Sequence, residues 1–132
     1  MLNILYVEDD DGSRQVMQMA QRMSPLAMNI VILEDSHAFE AHLLALDPEP
    51  ELILLDIHVQ PITGFEMLKI IRKHALFDDV PIIALTASVM NEEIDTLRCA
   101  GFDGVVSKPI DLDEFPELMQ QALLGANIWH VR

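Results

Sequence analysis

Five short apolar runs divide the chain: Ile-Leu-Tyr-Val (4–7), Asn-Ile-Val-Ile-Leu (29–33), Leu-Ile-Leu-Leu (52–55), Val-Pro-Ile-Ile-Ala-Leu (80–85) and Gly-Val-Val (104–106). Most are continuous rather than alternating, as in parallel strands covered on both faces. Between them apolar residues recur at helical spacing. Val16, Met19 and Met23 mark a first stripe, Phe39, Leu43 and Leu46 a second, and Phe65, Leu68, Ile71 and Ala75 a third. Met90, Ile94 and Leu97 mark a fourth, and Leu112, Phe115, Leu118 or Met119, and Ala122 a fifth. Thr63 with Glu66, and Asp111 with Glu114, have the spacing of capping boxes, and Gly125 stands where a C-terminal cap belongs. The alternation predicts a (βα)₅ α/β fold, with a doubly wound parallel sheet of five strands and helices on both faces.

Ligands of such sheets sit beyond the carboxyl ends of the strands. That rule places Glu8, Asp9, Asp56, Thr86 and Lys108 along one edge. An apolar strand ending on one aspartate is ordinary turn chemistry; five polar residues of three types at one edge are not. The three carboxylates form a cluster of hard oxygen donors suited to Mg²⁺, with the backbone carbonyl of His58 as a further ligand. A carboxylate nucleophile, a divalent cation, a lysine and a hydroxyl together suit a transferring phosphoryl group, which the aspartate accepts as an acyl phosphate.

Composition narrows the alternatives. The 132 residues hold 22 Asp and Glu against 8 Lys and Arg, a net charge of −14. Such a surface repels nucleic acid and anionic membrane. One cysteine, Cys99, leaves no internal disulfide, and a reducing, cytoplasmic location is the expectation. No apolar run approaches 18 residues and no charged-then-apolar segment is present, so neither a membrane span nor a signal peptide is expected. The five histidines lack ligand spacing for zinc, and no glycine-rich nucleotide loop is present. The expected organisation is one domain over residues 1–124 and a tail over 125–132, with Trp129 packing against the last helix.

The segments ILYVEDD, LILLDIHVQPITGFEML, PIIALTA and AGFDGVVSKPI resemble, in order and spacing, the receiver domain of two-component response regulators of the chemotaxis-regulator type. The resemblance covers residues 2 to about 124. It implies a flavodoxin-like sheet of order 2-1-3-4-5 and a phosphoryl group received from a histidine kinase or histidine phosphotransfer protein. It makes Asp56 the phosphoacceptor, Lys108 the phosphate-pairing cation and Thr86 the switch hydroxyl. The Ala87 backbone N–H contacts the phosphate, and Mg²⁺ falls to Glu8, Asp9, Asp56 and the His58 carbonyl. The domain is then no enzyme beyond transfer to its own aspartate. It acts on a downstream protein or output domain through the face of the fourth helix, fifth strand and last helix, and it binds neither nucleic acid nor membrane.

Two departures from the family pattern stand out. Pro61 lies one place later than usual after the acceptor, and Val105 replaces the usual aromatic residue. With no ring at 105, the signal is expected to travel through the loop 86–91 into the fourth helix, with Phe102 as an aromatic part of the output face. The Lys108–Pro109 bond is expected to be cis, because the lysine turns inward while the chain leaves for the last helix. Two rival readings use the same residues or fold. A haloacid-dehalogenase-like phosphatase would use Asp56 as nucleophile but needs Asp-x-Asp, where this chain has His58. A flavodoxin-like flavin carrier needs a Ser/Thr-rich loop after the first strand, where this chain has acids.

Overall fold

The computed structural model describes residues 1–87, 90–125 and 128–130. In chain order it contains β1 (Leu2–Val7), α1 (Asp11–Met23), β2 (Met28–Leu33), α2 (Phe39–Ala45) and β3 (Leu52–Asp56). Then come α3 (Gly64–Arg72), β4 (Ile82–Thr86), α4 (Asn91–Ala100), β5 (Gly104–Ser107), α5 (Phe115–Leu123) and β6 (Ile128–His130). All six strands are parallel, in the order β2-β1-β3-β4-β5-β6. The order of the first five is the expected one; the sixth strand is an addition. Its residues belong to the stretch 125–132 read as a tail, of which 126, 127, 131 and 132 lie outside the described residues.

Two apolar layers hold the sheet. Leu5, Val7, Ile53, Leu55, Ile82, Ala84 and Val105 face α2, α3 and α4; Ile4, Tyr6, Leu52, Leu54, Ile83, Leu85 and Val106 face α1 and α5. β3 and β4 lie in the middle and are buried at every position, which explains their unbroken apolar runs. β2 is an edge strand, and only Met28 in it is fully buried.

Several helices differ from the predicted stripes. α1 buries Met17 and Ala20, leaving Met19 and Met23 exposed. A segment with methionine at 17, 19 and 23 offers two apolar phases, and contact with the sheet selects one. α3 stops at Arg72, and Ala75 opens a 3₁₀ turn. Met90 precedes α4 and is exposed. The Thr63 capping box is present on both sides: Thr63 accepts from the Glu66 N–H, and Glu66 accepts from the Thr63 N–H. Asp111 takes the Asp113 and Glu114 N–H groups, but this forms a turn, and α5 itself begins at Phe115. Gly125 has φ 86 and donates its N–H to the Ala122 carbonyl, closing α5.

Trp129 packs on the opposite side of the sheet from that expected. β6 pairs Trp129 with Val105, and the indole joins the apolar layer under α4. The Arg98 guanidinium of α4 lies 4.5 Å from the ring centroid. Gly104 makes the sixth strand possible, since a Cβ there would run into the Ile128 backbone.

Candidate functional site

β1 and β3 are neighbours with Val7 beside Leu55, so the next residues, Glu8 and Asp56, emerge side by side. One carboxylate oxygen each from Glu8, Asp9 and Asp56 lie within 4.8 Å of one another. Glu8 is fully buried and Asp56 is 4% exposed, while Asp9 is open to solvent. Lys108, just past β5, reaches across the strand ends. Its Nζ donates to Glu8 Oε1 at 2.9 Å and lies 3.6 Å from Asp56 Oδ2. The Tyr6 hydroxyl donates to the same Glu8 Oε1 at 2.6 Å, and the Asp10 N–H reaches Oε2 at 3.3 Å. Asp56 Oδ1 accepts the His58 N–H at 3.2 Å.

Two buried carboxylates side by side cannot both ionise cheaply. Burial, then the bond and charge of Glu8, push Asp56 up to about 7, against the pull of the His58 N–H and Lys108. Burial opposes the charge on Glu8 too, but hydrogen bonds from Asp56, Tyr6 and Lys108 outweigh it and hold Glu8 below the usual carboxylate range. The pair therefore titrates as a unit, with its proton on the Asp56 side near neutrality. Burial works against the Lys108 ammonium, yet Glu8, Asp56 and Asp10 raise its pKa and keep it charged. A proton here relieves a repulsion that a hard divalent cation would relieve more fully. The all-oxygen donor set fits Mg²⁺.

Residues beyond the candidate ligands and acceptor hold this geometry. Gly64, the first residue of α3, lies against the loop after β3: an added Cβ would sit 2.8 Å from Ile57 Cα and 3.0 Å from the Asp56 carbonyl. Buried Ser36, after β2, donates to the Ile62 carbonyl and accepts the Ile62 N–H, both at 2.6 Å, tying down the loop that contains Pro61. The Arg14 guanidinium on α1 donates to the Glu8 carbonyl at 3.1 Å. Asp10 caps α1 by accepting the Ser13 N–H at 2.8 Å, which alone would hold its carboxylate low. Asp10 had a visible sequence signal as an acid just ahead of the first helical stripe, and Gly64 as part of the segment LILLDIHVQPITGFEML. Tyr6 read simply as part of an apolar strand.

Apart from Lys108, the described polar groups at the β4 and β5 ends are neutral. Thr86 ends β4 and is 1% exposed; its carbonyl accepts the Lys108 N–H at 2.9 Å. Ala87 follows and is exposed; residues 88 and 89 of the loop 86–91 lie outside the described residues. Val105 is fully buried. Phe102 contacts Phe65 of α3 edge to face at 5.8 Å, so its ring is core between helices rather than part of an output face. The His58 ring is exposed. The Lys108–Pro109 bond is cis. Beside the acids a groove of ≈ 280 Å³ opens between α1 and the chain after β5, lined by Tyr6, Asp10, Ser13, Met17, Lys108 and Pro109 among others.

Residues 4–120 match the response regulator receiver domain family. The chain belongs to that family. This receiver is 32% identical over 121 residues to regulatory protein AtoC of Escherichia coli (strain K12), covering 91% of this chain and 25% of AtoC. It is 33% identical over 84 residues to the polar-differentiation response regulator DivK of Brucella ovis, covering 64% of this chain and 68% of DivK. The receiver thus spans a quarter of AtoC and about two thirds of DivK. Among solved structures it resembles the bacteriophytochrome response regulator AtBRR, with TM-score 0.78 and 25% identity over 100% of this chain and 97% of that one. The Mn²⁺-bound response regulator Rcp1 superposes with TM-score 0.73 at 25% identity, over 91% of this chain and 90% of that one. The dehalogenase-like alternative finds no support among these relatives. Among the described residues no helix is long and apolar enough to cross a membrane.

Proposed function

We propose that this receiver takes a phosphoryl group on Asp56 from a histidine kinase or histidine phosphotransfer protein. The observation that carries the reading is a buried Asp56 at the end of β3, within 4.8 Å of Glu8 and Asp9 oxygens and 3.6 Å from Lys108. An Asp56 carboxylate oxygen attacks phosphorus, the bond from phosphorus to the donor nitrogen breaks, and an acyl phosphate forms. Glu8, Asp9, Asp56 and the His58 carbonyl would hold Mg²⁺, which when bound would neutralise phosphoryl oxygens. Rcp1, a response regulator of the same fold, binds Mn²⁺, which supports a divalent cation as the ligand of such a domain. Lys108 would leave its place between Glu8 and Asp56 to pair with the incoming group. Thr86 would donate its hydroxyl and Ala87 its N–H to the same oxygens. The domain catalyses nothing beyond this transfer.

The groove between α1 and Pro109 gives a donor side chain access beside Asp10 and Lys108. Readout would go through the face of α4, β5 and α5 to a downstream protein or output domain, with β6 and Trp129 lying within that face. Nucleic acid and membrane are not partners of a domain with net charge −14. The lone, exposed Cys99 agrees with a cytoplasmic setting.

Acetyl phosphate with Mg²⁺ should add one phosphoryl group, labile to hydroxylamine and absent from Asp56→Asn. Full labelling of Asp56→Asn would refute the assignment.

A further inference from the structure

Glu8 carries the site's most heavily used carboxylate, and its two oxygens are treated unequally. Oε1 has two strong donors, the Tyr6 hydroxyl at 2.6 Å and Lys108 Nζ at 2.9 Å. Oε2 has a single long backbone contact, from the Asp10 N–H at 3.3 Å, and the proton shared with Asp56 also bonds to Glu8. A glutamate carboxylate rides on three rotatable bonds, so enclosure alone does not fix how its oxygens are turned. We infer that Tyr6 is a positioning residue for the metal seat: its hydroxyl holds Glu8 Oε1 and so leaves Oε2 to face the cation. The inference rests on the reading of Glu8, Asp9 and Asp56 as that seat.

The ring is suited to the task. Tyr6 is 1% exposed and packs in the apolar layer with Ile4, Met17, Leu54 and Met119. Phenylalanine would fill the same space, and the hydroxyl is the one polar atom the ring brings to this layer. A buried phenol needs a partner, and Glu8 is the partner it has. Lys108 holds the same oxygen, but it also faces Asp56 Oδ2 and is drawn toward any anion entering beside it. Tyr6 is fixed in the apolar layer and its hydroxyl is given to Glu8. It therefore keeps Glu8 oriented while Lys108 changes partners.

The test is Mg²⁺ affinity, read from amide shifts at residues 56–58, in a cycle of Tyr6→Phe and Glu8→Asp. Partners that orient a metal ligand are typically worth about 10–100-fold in affinity. Tyr6→Phe should raise the Mg²⁺ Kd about tenfold without altering the folded spectrum. In the Glu8→Asp background, whose shorter arm does not reach the phenol, Tyr6→Phe should leave the Kd unchanged. An unchanged Kd in Tyr6→Phe alone, or an equal loss in both backgrounds, overturns the inference; the second result would assign Tyr6 to packing. Parent protein that binds no Mg²⁺ removes the metal seat itself, which is a separate failure. Tyr6 is the chain's one tyrosine, so a ring ¹³C label gives a single assignable signal. Its Cζ shift should stay that of a hydrogen-bonded phenol at saturating Mg²⁺; a move to the unbonded value would mean that the ion takes Oε1, and the inference fails.

Discussion

The carboxyl edge of the sheet is built in two halves that treat polar groups differently. At the ends of β1 and β3, Glu8 and Asp56 are buried as acids, and Lys108, Tyr6 and backbone N–H groups are spent on them. At the ends of β4 and β5 the buried polar residues are the neutral Thr86 and Ser107, and the rest of β5 is packed by Val105, Val106 and the added strand β6. The first half is governed by ionisation and so answers to protons, cations and anions. The second is governed by packing and answers only when a neighbour moves. A receiver needs both: a charge-sensitive end to register the phosphoryl group and a packed end to turn it into shape.

The sharpest way to break that contrast is Lys108→Ala. Removing one partner of a buried ion pair typically costs about 3–5 kcal/mol. Partial access of Lys108 to solvent and the proton on Asp56 place the expected loss near the lower figure, about 3 kcal/mol. Mg²⁺ should restore much of it, because a cation again faces the acids. Urea unfolding with and without Mg²⁺ measures both. An equal loss in the two conditions would mean that charge does not govern this half.

Asp56→Asn probes the same half with the opposite sign. The folded-state pKa is raised to about 7, so the folded protein holds the proton more tightly than the unfolded chain. The metal-free protein should therefore lose stability as pH rises from about 4 to about 7, at up to about 1.4 kcal/mol per unit. Asp56→Asn should flatten that decline and be the more stable protein at pH 8, by about 2 kcal/mol. Mg²⁺ binding below pH 7 should release a proton, measurable by calorimetry in buffers of different ionisation enthalpy. A parent protein with level stability between pH 4 and 8 would remove the shared proton.

Two glycines sharpen the comparison because each meets backbone in a different half. Gly64→Ala presses on Ile57 and the Asp56 carbonyl, which are closed in by the core. It should cost about 1–3 kcal/mol and slow phosphorylation by moving the acceptor. Gly104→Ala presses on β6, a three-residue edge strand that can peel away. It should cost less than about 1 kcal/mol, leave phosphorylation intact and red-shift the emission of Trp129, the chain's one tryptophan. Similar losses from both would show β6 to be as integral as the acceptor loop. Thr86→Val should have the smallest effect on stability, within about 1 kcal/mol. It should still accept the phosphoryl group while shrinking the amide changes that beryllium fluoride with Mg²⁺ produces along α4. Undiminished changes in α4 would take Thr86 out of the relay.

The sequence alone determined the first five strands, their order through the family resemblance, and the address shared by Glu8, Asp9, Asp56, Thr86 and Lys108. These are legible because burial on both faces writes a continuous apolar run, and because strand ends in such a sheet converge by topology. The Thr63 cap was legible for a local reason, since its two hydrogen bonds span three residues. Tertiary structure decided what depended on which apolar or polar atom finds which distant partner. Met17 rather than Met19 faces the sheet because contact selects between equivalent phases. β6 exists because Gly104 leaves room for Ile128, 24 residues later in the register. Tyr6 acts on Glu8 only because a rigid layer holds its ring while its hydroxyl meets the acid, and one apolar run reads the same whether that hydroxyl is used or idle. A periodic pattern records which face of an element is buried; it does not record which atoms meet there.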